Sequence, residues 1–301
     1  MKAIVALLLL GFGGAAAGRE LALTIDDLPR GDDGGPYSFA AEQAMTAGLL
    51  APIRQGHVPV VGFVHSSRHD DGPAALRAIL GQWLNAGAEL GNHTATHPDI
   101  DRTPLADFEQ DVLAGEPVLR ELLAARGQAL RYFRHPFLHV GATPADRDGL
   151  QAFLGQHGYT VAPVTIDGDD YAFAALYTQP RYRERVRRAY VPHMRAMTAY
   201  FERRSMALFG REIPQVLLIH ASQMNAELLP DLLAMFRQRG YRFITLEQAL
   251  ADPAYATTDG YAGPGGATWL HRWALAMHVA NTPEPQAPAW VMAGFEATIR
   301  N

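Results

Sequence analysis

Gly91-Asn92-His93-Thr94-Ala95-Thr96-His97-Pro98-Asp99 carries two imidazoles four residues apart. In a helical turn, residues i and i+4 share one face, so both rings can reach one metal ion. In an extended strand the same spacing separates them by roughly 13 Å, too far to share an ion. Pro98 biases His97 away from helical geometry, which predicts a short turn at the mouth of a strand. Spacing alone leaves a plainer reading open, in which one histidine sits in a turn and the other is partly buried. The flanking sequence decides between them.

Immediately before the histidines, residues 88–91 read as a strand. After them, residues 103–126 read as one long helix with Thr103 as cap and Pro104 at its first position. On the N-terminal side, Leu21-Ala22-Leu23-Thr24-Ile25 is a short apolar strand that ends in Asp26-Asp27-Leu28-Pro29. A Gly/Asp-rich loop, a helix over residues 38–55, a strand over 58–64 and a helix over 72–85 follow. On the C-terminal side, strands are predicted over residues 130–134, 159–166, 216–219 and 241–245, with helices over 146–158 and 228–240. Strands alternating with helices predict parallel β/α units, most economically closed into a barrel.

Asp26/Asp27, His93/His97, Arg134, Asp170 and His220 all follow predicted strands. In a β/α barrel those positions are the strand C-terminal ends, where active sites are built. Adjacent side chains in a strand point opposite ways, so Asp26 and Asp27 are expected to do two different jobs.

The first 17 residues have the pattern of a signal peptide. Lys2 is the positive region, an apolar run follows, and Ala15-Ala16-Ala17 offers a small-residue cleavage site. The apolar run is too short for a convincing membrane span. Lys2 is the only lysine, so leader removal takes the formal charge from −5 to −6. Schiff-base chemistry and a P-loop lysine are thereby excluded from the mature chain. The absence of cysteine excludes thiol nucleophiles, thiolate metal sites and disulfides. Mild acidity argues against nucleic acid as a partner.

The ordered motifs resemble those of the polysaccharide deacetylase (NodB-homology) family of metal-dependent carbohydrate esterases, over roughly residues 21–250. Thr24-Ile25-Asp26-Asp27 resembles TFDDG, which implies Asp26 as catalytic base and Asp27 as metal ligand. His93-Thr94-Ala95-Thr96-His97 resembles H[ST]xxH, which supplies the other two ligands. Arg134-His135-Pro136-Phe137 resembles RxPF/Y. It implies an arginine that orients the base and an oxyanion site at the Phe137 N–H. Asp167-Gly168-Asp169-Asp170-Tyr171 resembles DxxD[WY], with Asp170 expected to partner Arg134 and Tyr171 to wall the pocket. Leu217-Leu218-Ile219-His220 resembles LLxH, whose histidine acts as general acid.

The resemblance implies an α/β fold, a distorted (β/α)7 barrel over residues 18–251. A helical insertion is expected at about 178–214 and a C-terminal extension over 252–301, packed on the barrel. It implies one divalent ion; nitrogen and oxygen ligands suit Zn²⁺ best, with Co²⁺, Ni²⁺ and Mn²⁺ open. The implied activity is removal of N-acetyl groups from an amino-sugar polymer by an exported, periplasmic or extracellular enzyme. O-acetyl esters, small linear amides, or a non-catalytic carbohydrate-binding barrel are the alternatives. Leu28-Pro29 departs from the family's usual glycine, so that loop is expected to take another path.

Residues 181–204 hold eight arginines with Val186, Tyr190, Met197 and Phe201 at near-helical spacing. This pattern predicts an amphipathic helix with a solvated basic face, or else a basic lid over an anionic polymer. Trp269, His271, Arg272 and Trp273 suit a helix docked by its aromatics, or a surface that stacks on sugar. His65, His69, His135 and His139 are expected on loops near the barrel mouth without ligand roles, with substrate contact or extra metal binding as the alternative.

Overall fold

The computed structural model of the chain describes residues 18–35, 38–68 and 71–300. The expected leader (residues 1–17) and His69 lie outside them. Seven strands, β1 (Arg19–Leu28), β2 (Val60–Val64), β3 (Glu89–Asn92), β4 (Tyr132–Phe133), β5 (Thr160–Val161), β6 (Gln215–His220) and β7 (Tyr241–Phe243), form one parallel sheet. The spatial order is β5-β4-β3-β2-β1-β6, and β7 pairs with the N-terminal end of β1. Past β5 the chain returns to β6 through a bridge between Ile166 and Leu217, which curls the sheet toward closure. The expected α/β barrel architecture is present, with helices packed around the sheet.

Strand alternation divides the side chains into two sets. Leu21, Leu23 and Ile25 of β1 join the large core between sheet and helices, whereas Ala22 joins an inner cluster with Val61, Phe63, Tyr132 and Val216. Continuing the inner rows toward the strand ends leads from Ala22 and Thr24 to Asp26, and from Val61 and Phe63 to His65. The same rows lead from Gly91 to His93, from Tyr132 to Arg134, and from Val216 and Leu218 to His220. Gly91 is required in its row, because a Cβ there would lie 2.4 Å from the Phe63 ring.

Several boundaries differ from expectation. β4 and β5 are two residues each, shorter than the apolar runs that contain them. The helix expected over 103–126 is divided into α3 (Leu105–Ala114) and α4 (Glu116–Ala124), with Pro104 rather than Thr103 at the cap position. Pro117 lacks the N–H needed to continue α3. At the break, Gly115 packs against the turn after β3, where a Cβ would stand 2.7 Å from Asn92 Oδ1 and 2.9 Å from the Thr94 backbone.

The other main helices around the sheet are α1 (Phe39–Gln55), α2 (Pro73–Asn85), α5 (Pro144–Gln156) and α8 (Gln223–Gln238). α6 (Asp170–Tyr177) precedes a 30-residue helix, α7 (Pro180–Phe209), which occupies most of the stretch 178–214 where a helical insertion is expected. After the short α9 (Leu246–Leu250), the C-terminal segment carries α10 (Trp269–Ala276) and α11 (Ala289–Ile299). Trp269 and Trp273 are buried, so they dock α10 rather than present a stacking surface. Fully buried Arg272 joins α10 to Asp259, at 2.9 Å, and to the Leu138 carbonyl. Arg204 of α7 binds the Ala280 carbonyl and Asn281. These ties bring α7 and the C-terminal segment together at the barrel mouth. No helix among the described residues is long and apolar enough to cross a membrane.

Candidate active site

A cleft of about 1660 Å³ opens over the strand C-terminal ends and is lined by Asp26, Asp27, His93, His97, Phe137 and Tyr171, with His220 on the same surface. Asp27 Oδ1 lies 3.6 Å from His93 Nε2 and 3.5 Å from His97 Nε2. The two imidazole centroids are 4.8 Å apart. They converge without a helical turn: Thr94 and His97 both adopt positive φ, at 69° and 59°. Side chains build this reversal. Asn92 Oδ1 accepts from Thr94 N, Thr94 Oγ1 accepts from His97 N, and Asp111 accepts from the Ala95 and Thr96 amides. Asn92 is itself held by Tyr159 Oη at 2.8 Å.

Asp27 also has positive φ, 64°, and the β1 register shifts between Ile25 and Leu28. The two adjacent carboxylates therefore face one cleft, against the alternation expected of a regular strand. Their partners still differ, with Asp27 beside the imidazoles and Asp26 Oδ2 3.6 Å from Arg134 Nη1. The loop beyond them follows its own path through a cis Leu28–Pro29 bond to Arg30, which pairs with Glu42 of α1 at 2.7 Å.

The donor set suits a divalent cation. His93 Nδ1 is engaged with the Arg134 carbonyl at 2.8 Å, which leaves Nε2 as the ring's free nitrogen. Burial holds both His93 and His97 below the usual imidazole range, against the opposing pull of Asp27. Asp27 is pushed up by burial, but the surrounding imidazoles outweigh this and hold it below the usual carboxylate range. Neutral nitrogens and an ionised oxygen are the states that ligands require. Asp27 Oδ1 is buried with no hydrogen-bond partner among the described residues.

Arg134 is fully buried, stacked on Phe63 at 4.7 Å, and donates from Nη2 to Thr24 Oγ1 at 3.0 Å. Its expected pairing with Asp170 is not formed. Asp170 heads α6, where Oδ1 binds His220 Nδ1 at 2.7 Å and Oδ2 accepts from His220 N and Asn225 Nδ2. Both carboxylate oxygens are consumed there, so Asp170 orients His220 instead. Burial lowers the His220 pKa, but Asp170 and then Asp27 and Asp26 overcome it and bring it to about 10. Burial pushes Asp26 up to about 7, against the opposing charges of Arg134 and His220.

Phe137 sits at the corner after β4 with φ 56°, 53% exposed, its ring 4.5 Å from His97. Tyr171 meets His220 edge-on at 6.2 Å. His65 is buried and its Nε2 lies 3.3 Å from the Arg30 carbonyl, outside the ligand group. His139 bridges Asp99 and Asp101 at 2.7 and 3.1 Å, a hydrogen-bonded imidazole tying two turns. His135 is buried, with Nδ1 unpartnered among the described residues. Sequence reasoning missed Asn225, Asn92 and Asp111. Asn92 alone carried a local signal, as a turn-forming residue next to His93.

Residues 13–161 match the polysaccharide deacetylase family model. A chitooligosaccharide deacetylase of Bradyrhizobium is 31% identical over 127 residues, covering 42% of this chain and 49% of that protein. A chitin deacetylase of Colletotrichum lindemuthianum is 24% identical over 77% of this chain and 79% of its own length. The chain thus spans about half the length of the first of these relatives. The solved structure of the chitin deacetylase from the fungal pathogen Colletotrichum lindemuthianum superposes with a TM-score of 0.52 at 21% identity, covering 78% of this chain and 88% of that one. A family pseudoenzyme from Bacillus anthracis superposes at 0.50 with 16% identity, covering 78% of this chain and 66% of that one. The fold is therefore shared by active and inactive proteins.

Proposed function

We propose that the chain, whose residues 13–161 match the polysaccharide deacetylase model, works as a metal-dependent hydrolase that releases acetate from N-acetylated amino sugars outside the cytoplasm. The observation that carries this reading is the convergence of Asp27, His93 and His97 beside Asp26, with His220 lining the same cleft. Asp27, His93 and His97 would hold one divalent ion, with Zn²⁺ the best fit to the donor set. Such an ion supplies Lewis acidity for a carbonyl and lowers the pKa of water toward roughly 7.

Asp26 accepts the proton of the attacking water. The Arg134 guanidinium, fixed by Phe63 and Thr24, favours its ionised form. The Phe137 amide would donate to the developing oxyanion. An amide nitrogen leaves poorly as an anion, so His220, protonated and aimed by Asp170, delivers the proton it needs. Products are acetate and a free amine. An O-acetyl ester has the easier leaving group and needs the same residues.

Acetate release by the metal-loaded protein tests the reading, with Asp26→Asn alongside. Chitin oligomers, peptidoglycan fragments, poly-N-acetylglucosamine and acetylated xylan form the panel. Release from an N-acetyl sugar that requires both metal and Asp26 is expected. Tight metal binding with no release from any of them would overturn the assignment to carbohydrate.

A further inference from the structure

One wall of the cleft is acidic, and its charge is only partly offset, by His193 beside Asp169 and by the more distant charge of His220 and Arg134 on Asp167. Asp167 and Asp169, on the loop entering α6, line it together with Glu284 from the segment between α10 and α11. None of the three lies within ion-pair distance of an arginine among the described residues. Burial, followed by repulsion from Asp169 and Asp167, pushes Glu284 up to about 7. Burial, then Asp169 and Asp170, raises Asp167 to about 6.

Behind this wall stands a second unsatisfied group. His193 of α7 has a side chain only 5% exposed, and its Nε2 faces Asp169 Oδ2 at 3.7 Å. That nitrogen has no hydrogen-bond partner among the described residues.

The arginines of α7 do not neutralise the wall. Arg183 and Arg187 pair with Glu227, Arg185 covers Trp290, and Arg204 is tied to the C-terminal segment. Arg68, which lines the cleft, pairs with Asp32. No arginine of α7 is among the residues that line the cleft, so a basic lid for an anionic polymer is not what this helix presents to it.

A bare metal ion is a poor occupant for the wall. Among the described residues, ligand atoms gather closely enough for one ion only at Asp27/His93/His97 and at Asp99/Asp101/His139. A more open set of carboxylates suits a polyatomic cation with several N–H donors. Tyr171 and Phe295, in edge contact at 5.2 Å on the same cleft, add aromatic surface of the kind that favours such a cation.

We propose that Asp167, Asp169 and Glu284 form a subsite for a primary ammonium group carried by the substrate itself, next to the acetamide that is cleaved. This inference rests on the deacetylase reading above. The ammonium comes either from a glucosamine unit in a partly deacetylated chain or from the alkyl chain of a small N-acetylated amine. In the first case, each turnover creates the group that the neighbouring subsite recognises.

The test pairs each substrate with its amine-free counterpart. A fully acetylated chitin tetramer is compared with one bearing a single free amine, and an N-acetylated diamine with an N-acetylated monoamine. The expected result is a preference in kcat/KM of about tenfold for the amine-bearing member of one pair, expressed in KM and weakened by added salt. Which pair shows it identifies the source. Glu284→Gln and, separately, Asp167→Asn are each expected to erase most of that preference. Equal use of both members by the native protein, or a ratio unchanged in both variants, overturns the proposal.

Calorimetric binding of the glucosamine tetramer supplies a readout that needs no turnover. Acetate release without amine preference sinks the subsite and leaves the deacetylase reading standing. Glu284-dependent binding of the tetramer without release from any acetylated substrate does the reverse.

Discussion

On the side of the cleft proposed to hold the metal, Asp26, His93, Arg134 and His220 stand at or just beyond strand ends, with His97 in the turn after β3, whereas the acidic side is built from the loop entering α6 and the segment between α10 and α11, backed by α7. The strand ends belong to rows whose alternation is set by the core beneath them, so Asp26, His93, Arg134 and His220 have little freedom to point elsewhere. The opposite wall depends on how α7 and residues 252–300 dock, through Arg204, Arg272 and two buried tryptophans. The contrast separates chemistry from selectivity. In the proposed mechanism the first region carries the reaction, and in the proposed subsite the second selects what is presented to it.

The sharpest way to break this division is to remove a metal ligand. His93→Ala should lower acetate release by about a thousandfold or more and reduce bound metal below one ion per chain. Metal analysis beside activity checks both; full activity without metal would end the proposed mechanism.

Asp170→Asn should cost about a hundredfold in kcat. The raised His220 pKa keeps the acid protonated up to about pH 10. The native kcat/KM is therefore expected to fall as pH rises through that value, and the variant's fall should move toward the ordinary imidazole range. An unmoved alkaline limb would remove Asp170 from His220's control.

Asn225→Ala probes the link between the two regions, since Asn225 donates to Asp170 and accepts from Tyr190 Oη of α7 at 2.9 Å. Loss of one hydrogen bond to a charged group predicts about a tenfold drop in kcat. The alkaline limb should move to higher pH, opposite to Asp170→Asn, because loss of the amide donor leaves more of the Asp170 charge acting on His220, and it should move less for Tyr190→Phe.

Gly115→Ala should destabilise the fold by about 1–3 kcal/mol, because the added methyl meets Asn92 and the Thr94 backbone. Thermal unfolding measures the loss, and metal affinity should fall with it as the turn carrying His93 and His97 is displaced.

The smallest effect is expected at Glu227→Gln. Its ion pairs with Arg183 and Arg187 are partly exposed on the outer face of α7, so the cost should stay below about 1 kcal/mol. Substrate preference should not change, and a change would bring the basic face of α7 back into play.

Much of the metal side was legible in the chain. The apolar runs before Asp26, His93, Arg134 and His220 marked strand ends, and the motif order supplied the resemblance. Asp170 was assigned to Arg134 because motif spacing says nothing about which of two basic groups an aspartate meets; its place at the start of α6 decides for His220. The converging histidines were expected in a helical turn, but Asn92 and Asp111 bind the backbone amides of Thr94, Ala95 and Thr96, stabilising a left-handed reversal instead. Asn225, His193 and Glu284 carry no short-range pattern for these roles, because Asn225 meets Asp170 and Tyr190 at separations of 55 and 35 residues, His193 meets Asp169 from a different helix, and Glu284 faces Asp167 and Asp169 from the C-terminal segment.

By itself, then, the sequence determined the parallel β/α order, the inward rows and the identity of the groups at the barrel mouth, since alternation and apolar runs are local properties. Only the tertiary structure decided that adjacent Asp26 and Asp27 share one cleft, that Asp170 serves His220, and that α7 and the C-terminal segment enclose an acidic wall. Those outcomes depend on a register shift in β1 and on contacts between distant segments, where burial and charge are settled by packing.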